Sequence, residues 1–237
     1  MDSKYFSIYN DFVGRIETGY LEANSKLPSE SELMEGYGVS RDTVRKALNL
    51  LEQKGYIQKL QGKGSFVLDI NRYDFPVSGL ISFKELAQKM NMKAKTTVKK
   101  LELFEPDSFL KNDMDLAEEG KVWEVIRIRQ IGDQKIILDK DYLSEKFVPN
   151  LTVDICENSI YEHLEKSLGL KIGYAKKEIT VQACTEEDKA YLDLKGYDMI
   201  VVVRSHVYLE DTSLFQYTES RHRPDKFKFV DFARRSL

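Results

Sequence analysis

YGVSRDTVRKALNLLEQKGYI, residues 37–57, is the stretch that decides how the first part of this chain folds. Ser40 stands where it can cap a helix, and Asp42 falls in the first turn, where a carboxylate favours the helix dipole. Val44, Ala47, Leu48 and Leu51 recur at helical spacing and form a stripe for burial. Arg41, Thr43 and Arg45 lie at the start of that helix and outside the stripe. A helix seated in the major groove presents side chains from that end to base edges and phosphates. Arginine can pair bidentately with guanine there, and a threonine methyl or hydroxyl can meet a base or a phosphate. Taken alone, the pattern fits equally an amphipathic helix with a basic solvent face.

The flanks narrow the choice. Upstream, Ile8, Phe12 and Ile16, with Tyr9 and Val13 beside them, predict a helix over residues 5–18 that stops at Gly19. Ser29 and Glu32 form a capping box that opens a second short helix, with Leu33 and Met34 on its apolar face. Residues 35–39 are expected to end it and turn the chain. Downstream, Gly55 closes the third helix and residues 56–60 alternate as a strand. Gln61, Gly62, Lys63 and Gly64 make a tight turn, and residues 65–68 return as a second strand. A hairpin after three helices is a wing, and Lys63 at its tip can reach phosphate or the minor groove. LPSESEL (27–33), residues 37–57 and GKGSFV (62–67) together resemble the winged-helix domain of the GntR family of bacterial regulators. The resemblance implies a DNA-binding domain over residues 1–70. It places Ser29, Ser40, Arg41, Thr43 and Arg45, with the wing turn Gln61, Gly62, Lys63 and Gly64, at the DNA. Ser31 stands where many members carry Arg or Lys, a departure that bears on one contact.

Composition sets the frame. The 237 residues suffice for one large domain or two ordinary ones, and 42% apolar with 32% charged residues suits a globular chain. No stretch approaches the roughly 20 apolar residues of a membrane span. The start, MDSKYFSIYN, lacks the pattern of a secretory leader, so a cytoplasmic protein with no membrane association is expected. The net charge of −3 does not advertise a nucleic-acid binder, but its distribution is uneven. Residues 1–37 carry three basic and seven acidic side chains, and residues 38–68 carry six basic and two acidic. A local basic block inside an acidic chain fits a phosphate footprint, and fits a plain solvated face as well. Cys156 and Cys184 have no metal-type spacing and read as reduced thiols. His163, His206 and His222 fall in no ligand pattern, so neither a metal nor a cofactor is expected.

Residues 71–79, with Pro76 and Gly79, read as a linker to a second domain over residues 80–237. Ser82 and Glu85 form a capping box that opens a helix to about Met90. Residues 122–131 and 135–143 alternate as strands about a turn at Gly132-Asp133. Ser159 opens a helix ended by Gly169, and a further helix over 185–194 is closed by Gly196. Residues 172–183, 199–209 and 213–223 read as strands, the last two separated by residues 210–212. The expected class is α+β: an N-terminal winged helix-turn-helix joined to a domain with a mostly antiparallel sheet. Arg127 and Arg129, two apart on a strand, share a face and can clamp a phosphate. The helix start at Ser82 offers backbone N–H groups to the same anion. Tyr217, Glu219, Arg221 and Arg223 share a face of the last strand, a set that suits a sugar bearing a phosphate. The same spacing fits a sheet that is merely apolar on one face and charged on the other.

Residues 80–235 resemble the effector-binding domain of the HutC branch of the GntR family. PVSGLISFKELAQ (76–88), WEVIRIR (123–129), ILDKDY (137–142), ICENSIYE (155–162), GYDMIVVVR (196–204), LEDTSLFQYTESRHR (209–223) and FVDFARR (229–235) carry the likeness. It implies a chorismate-lyase-like fold that also forms a homodimer interface. It implies phosphate binding at Ser82, Phe83, Lys84, Arg127, Arg129 and Ser159. Asp139 and Glu219 then receive sugar hydroxyls, with Tyr217 and Arg223 beside them; Asp139 is one methylene shorter than the Glu common at its position. The function implied is that of a repressor of a trehalose utilisation operon, bound to a near-palindromic double-stranded operator and released by trehalose 6-phosphate. The alternatives are a HutC-type regulator answering to another sugar phosphate, such as an amino sugar 6-phosphate, an enzyme acting as a lyase on a small anion, and a partner-binding scaffold.

Overall fold

The computed structural model describes residues 4–68, 80–116 and 120–229. The expected linker over 71–79 lies outside the described residues, as do residues 230–237 of the expected second domain. Residues 4–68 and 80–229 belong to two separate compact units.

The first unit runs α1 (Lys4–Glu17), α2 (Glu30–Tyr37), α3 (Arg41–Gln53), β1 (Ile57–Leu60) and β2 (Gly64–Val67). The capping box at α2 is complete: the Glu32 N–H donates to Ser29 Oγ at 3.3 Å, and the Ser29 N–H donates to the Glu32 carboxylate at 2.7 Å. Helix α2 continues through Glu35, Gly36 and Tyr37, three residues beyond its expected end. Gly38 stops it by taking the left-handed conformation, φ 60°, which costs glycine nothing. The α3 stripe of Val44, Ala47, Leu48 and Leu51 is buried against Ile8, Phe12, Ile16, Leu33 and Ile57. Strands β1 and β2 pair antiparallel, with Ile57 opposite Val67 and Leu60 opposite Gly64. Gly64 is thus the first residue of β2 and not the end of the turn. An extended segment that the sequence pattern did not announce completes the wing. Lys26 pairs with Phe66, and the Leu27 N–H donates to the Ser65 carbonyl at 2.8 Å. Lys26 passes so close over Gly64 that a Cβ there would lie 2.8 Å from Lys26 Cε.

The second unit contains α4 (Phe83–Lys89), β3 (Ala94–Phe104), α5 (Ser108–Asp113), β4 (Val122–Ile131), β5 (Gln134–Ser144), α6 (Val153–Asn158) and α7 (Ile160–Glu162). It continues with β6 (Ile172–Ala183), α8 (Glu186–Tyr191), β7 (Met199–Leu209) and β8 (Leu214–His222). The six strands form one sheet in the order β3-β4-β5-β8-β7-β6, and every neighbouring pair is antiparallel. Strand β3 and helices α5 and α6 were not expected. The helix expected over 185–194 is shorter, and the one opened by Ser159 continues past α7 as a π-helical turn over His163–Ser167. Each face of the sheet has its own core. On one, Val125, Leu143 and Val207 pack with Cys156, Ile160 and Leu164 from the α6–α7 region. On the other, Ile126, Ile128, Leu138, Ile200 and Val202 pack with Leu192 and Leu194 after α8.

Phe12 is fully buried at the centre of the first unit. Phe12→Ala should destabilise residues 4–68 by about 3–5 kcal/mol. Native-state hydrogen exchange checks this: the amides of α1 and α3 should lose protection, and unchanged protection there would show that the site collapses without cost.

Candidate functional site

Four buried charges occupy the middle of the sheet. Arg127 and Arg129 on β4 face Asp139 and Asp141 on β5, and none of the four is more than 8% exposed. Arg127 lies opposite Asp139 in the register, yet its guanidinium reaches diagonally to Asp141, with Nε and Nη2 donating to Oδ2 at 3.0 and 2.6 Å. Arg129 reaches diagonally to Asp139, its Nε donating to Oδ2 at 2.7 Å, and its Nη1 donates to Thr96 Oγ1 at 2.7 Å. The Arg129 guanidinium also lies 4.9 Å from the centre of the Phe83 ring, a cation–π distance. The network extends to β8: Gln216 Nε2 donates to Asp141 Oδ1 at 2.9 Å and Ser220 Oγ to Asp139 Oδ1 at 2.6 Å.

These groups wall a cavity of about 180 Å³. Ser82, Phe83 and Lys84 at the start of α4 close one side, and Ser159 and Tyr161 another. Strands β7 and β8 supply a neutral polar floor of Ser205, Gln216, Thr218 and Ser220. Ser82 and Ser159 serve first as helix caps, accepting from the Glu85 and Glu162 N–H groups at 3.2 Å each. The α4 cap leaves the Phe83 and Lys84 amides, at its first two positions, without an intrahelical acceptor. Lys84 Nζ donates to Glu162 at 2.5 Å and ties α4 to α7 beside the cavity. Glu162 is held down at about 2 by Lys166 and Lys84.

The cluster pairs two guanidiniums with two carboxylates and is charge-balanced as it stands. Burial alone would raise Asp139, but the Arg129 and Arg127 charges outweigh it and hold the carboxyl below its usual range. Burial, and then the charge of Arg127, draw Arg129 below the ordinary arginine value. An arginine does not give up its proton under folding conditions. Burial is the larger part of that pull, and the Arg127 charge is the part that a further anion would relieve. Each guanidinium has five N–H donors; Arg127 uses three, the third from Nη1 to the Cys156 carbonyl at 3.3 Å, and Arg129 uses two. Gln216 contributes an acceptor: its Oε1 is buried without a hydrogen-bond partner, while its amide nitrogen is committed to Asp141.

The structure brings Ser82, Phe83, Lys84, Arg127, Arg129, Asp139 and Ser159 around this one cavity. It does not bring Tyr217, Glu219 and Arg223 there, which corrects the expectation. Ser220 lies opposite Asp139 and Thr218 opposite Asp141, so the even-numbered residues of β8 face the cavity. The odd-numbered ones point away, because successive side chains alternate between faces. Glu219 instead binds Arg204 at 3.1 Å and Arg221 at 2.8 Å. Tyr217 stacks on Tyr142 at 5.9 Å. Arg223 is fully buried and holds Asp225, the Asp193 carbonyl and Gln134 at 2.6 Å each. Asp141, Tyr161, Ser205, Gln216, Thr218, Ser220 and His222 line the cavity without having been expected there. The polar alternation of β8 was a signal for four of them, but it could not say which face meets the ligand.

In the first unit Arg41 and Arg45 are exposed at the start of α3. Thr43 is half-buried, and its hydroxyl lies 3.0 Å from Ser40 Oγ. Ser29 and Ser40 act as helix caps. Gln61, Gly62, Lys63 and Gly64 are exposed at the wing tip. Among the described residues no group of three or more His, Cys, Asp or Glu side chains is placed to hold a metal ion, and no helix is long and apolar enough to cross a membrane.

The pattern of bacterial regulatory proteins of the gntR family matches residues 4–67, and that of the UTRA domain matches residues 89–228. The chain belongs to the GntR family. It is 57% identical over 233 residues, 98% of both chains, to the HTH-type transcriptional regulator TreR of Bacillus subtilis. Among solved structures, the possible transcriptional regulator YydK of Bacillus subtilis covers 98% of this chain and 100% of its own, at TM-score 0.82 and 28% identity. The effector-binding domain of the B. subtilis trehalose repressor (TreR) covers 60% of this chain and 99% of its own, at TM-score 0.55 and 58% identity. This GntR-family chain is accordingly a DNA-binding transcription regulator with a UTRA effector-binding domain, and not an enzyme.

His222, beside Asp139 in the cavity wall, makes the second unit sensitive to acid. Burial pushes its imidazole down to about 4 from an ordinary 6.5. Between those values the unfolded chain binds a proton that the folded unit refuses, so stability is full above about pH 6.5 and falls towards pH 4. The loss reaches roughly 3 kcal/mol at most. Urea unfolding at stepped pH, followed by the fluorescence of Trp123, the single tryptophan, should show this slope. His222→Gln should flatten it, and an unchanged slope in that variant would remove His222 as the cause.

Proposed function

We propose that this chain is the repressor of a trehalose utilisation operon, acting in the cytoplasm as a homodimer on a near-palindromic operator and released by trehalose 6-phosphate. The cavity of the UTRA domain is the observation that carries the reading. Its cationic wall of Arg127, Arg129 and Lys84 suits a phosphate, and its floor of Ser205, Gln216, Thr218 and Ser220 suits sugar hydroxyls. Asp139 joins that floor, with one oxygen on Arg129 and the other on Ser220. The likeness to TreR, at 57% identity over 98% of the chain, supports trehalose as the sugar.

In the first unit, Arg41, Thr43 and Arg45 enter the major groove while Ser29 and Ser40 hold the helix starts that carry them. The wing turn Gln61–Gly64 follows the adjacent phosphates or minor groove. Two copies place two recognition helices in successive grooves. Release requires the ligand to prefer one arrangement of the dimer over the other, by several kcal/mol for a nearly complete switch. The cavity supports a source for that preference. A phosphate seated in the cavity, which is about 180 Å³ and open to solvent, would bridge Arg127 and Arg129 on β4 to the start of α4. The phosphate would also compete with Glu162 for Lys84 and loosen the tie between α4 and α7.

An operator gel shift titrated in parallel with trehalose 6-phosphate, trehalose, glucose 6-phosphate and an amino sugar 6-phosphate tests the assignment. Release by trehalose 6-phosphate at the lowest concentration is expected, and release by another of the four at lower concentration would reassign the effector. Arg129→Lys keeps a charge for Asp139 but loses the planar fork. It should leave operator affinity unchanged and raise the effector concentration needed for release by about tenfold or more. Arg45→Ala should weaken operator binding itself.

A further inference from the structure

We propose that Glu30 is a positioning residue for base reading: it holds the arginines of α3 so that their terminal nitrogens face the DNA. This rests on the DNA-binding role of the first unit and goes beyond it, because no contact of the chain with DNA required a carboxylate. Glu30 is the first residue of α2 and reaches across to the next helix. Arg45 Nε donates to both of its carboxylate oxygens, at 3.1 and 3.0 Å. Arg41 Nε lies 3.7 Å from the same carboxylate. One negative charge therefore sits between the two arginines that the recognition helix presents.

The choice of nitrogen matters. A guanidinium that reads guanine spends two N–H groups on O6 and N7. When Nε is taken by a carboxylate, the two terminal nitrogens are left pointing outward in a fixed plane, ready for that edge. Without the carboxylate the long arginine side chain samples many rotamers and meets phosphates as readily as bases. Stability gives no competing reason for the pair. Its side chains are 57% and 35% exposed, and ion pairs at such sites contribute little to folding. On a surface that meets phosphates, the carboxylate itself opposes non-specific binding. Glu30 thus exchanges non-specific affinity for discrimination.

The test uses the full chain. A duplex is first enriched by the wild-type chain from a randomised pool spanning two half-sites, and a scrambled duplex of equal composition serves as reference. Glu30→Gln, which keeps shape and removes the charge, should lower the ratio of enriched to scrambled affinity by about tenfold. Its affinity for the scrambled duplex should be equal or higher, and its melting temperature unchanged. In an Arg45→Ala background the same substitution should change the ratio by less than about twofold, since there is no guanidinium left to position. A ratio in Glu30→Gln equal to wild type, or an equal fall in both backgrounds, overturns the proposal while leaving the DNA-binding role intact. Failure of the wild-type chain to enrich any duplex overturns both.

Discussion

Two guanidiniums in the middle of a β-sheet cannot stand alone, and the architecture of the UTRA domain answers that constraint. Arg127 and Arg129 lie on the face of β4 that also carries Val125, a residue of the buried core. Leaving either without a counter-charge would cost about 3–5 kcal/mol. Asp141 and Asp139 on the next strand meet them along the diagonals of the β4–β5 register, and Gln216 and Ser220 carry the bonding to β8. A one-residue slip of any of these strands would turn the charges to the opposite face, so the network and the register depend on each other. Buried pairs of this kind are no more stabilising than a packed apolar core would be. What they provide is a rigid polar wall to the cavity.

The DNA-binding unit uses the same pairing of guanidinium and carboxylate in a wet setting. The pair of Arg45 and Glu30 is exposed, and water screens it. Its consequence is orientation and not stability, whereas for Arg129 and Asp139 the two cannot be separated. The core beneath, from Phe12 and the α3 stripe, makes the platform rigid enough for that orientation to matter. Within the UTRA domain the Lys84–Glu162 bond is the analogous adjustable contact, since both partners are one-third exposed and a phosphate can displace the carboxylate.

The legible parts of this molecule share one property: their signals are local. The caps Ser29, Ser40 and Ser82, each bonded to the N–H three residues on, were readable because a cap is decided within one turn of helix. Strands β6 and β7 were readable to the residue because each is a run of more than ten positions, rich in Ile, Val and Tyr, between turn signals. Strand β3 was missed because a bulge between Val98 and Lys100 breaks its period of two, with Lys99 and Lys100 adjacent there. The bridge that completes the wing was missed because Lys26 finds its partner, Phe66, forty residues away.

By itself, the sequence determined the two kinds of domain, the helix that presents Arg41 and Arg45, and the pairing of Arg127 with Arg129 on one face. Each follows from a spacing of two, three or four residues, which is a property of the backbone alone. The tertiary structure decided which face is which. On β8 the period of two divides Gln216, Thr218, Ser220 and His222 from Tyr217 and Glu219, but it does not say which set meets the cavity. That answer comes from the hydrogen-bond register with β5, which sets Ser220 opposite Asp139 and sends Glu219 to Arg204 on the far side. Register is a relation between strands distant in sequence, held in place by the burial of both, and no local pattern contains it.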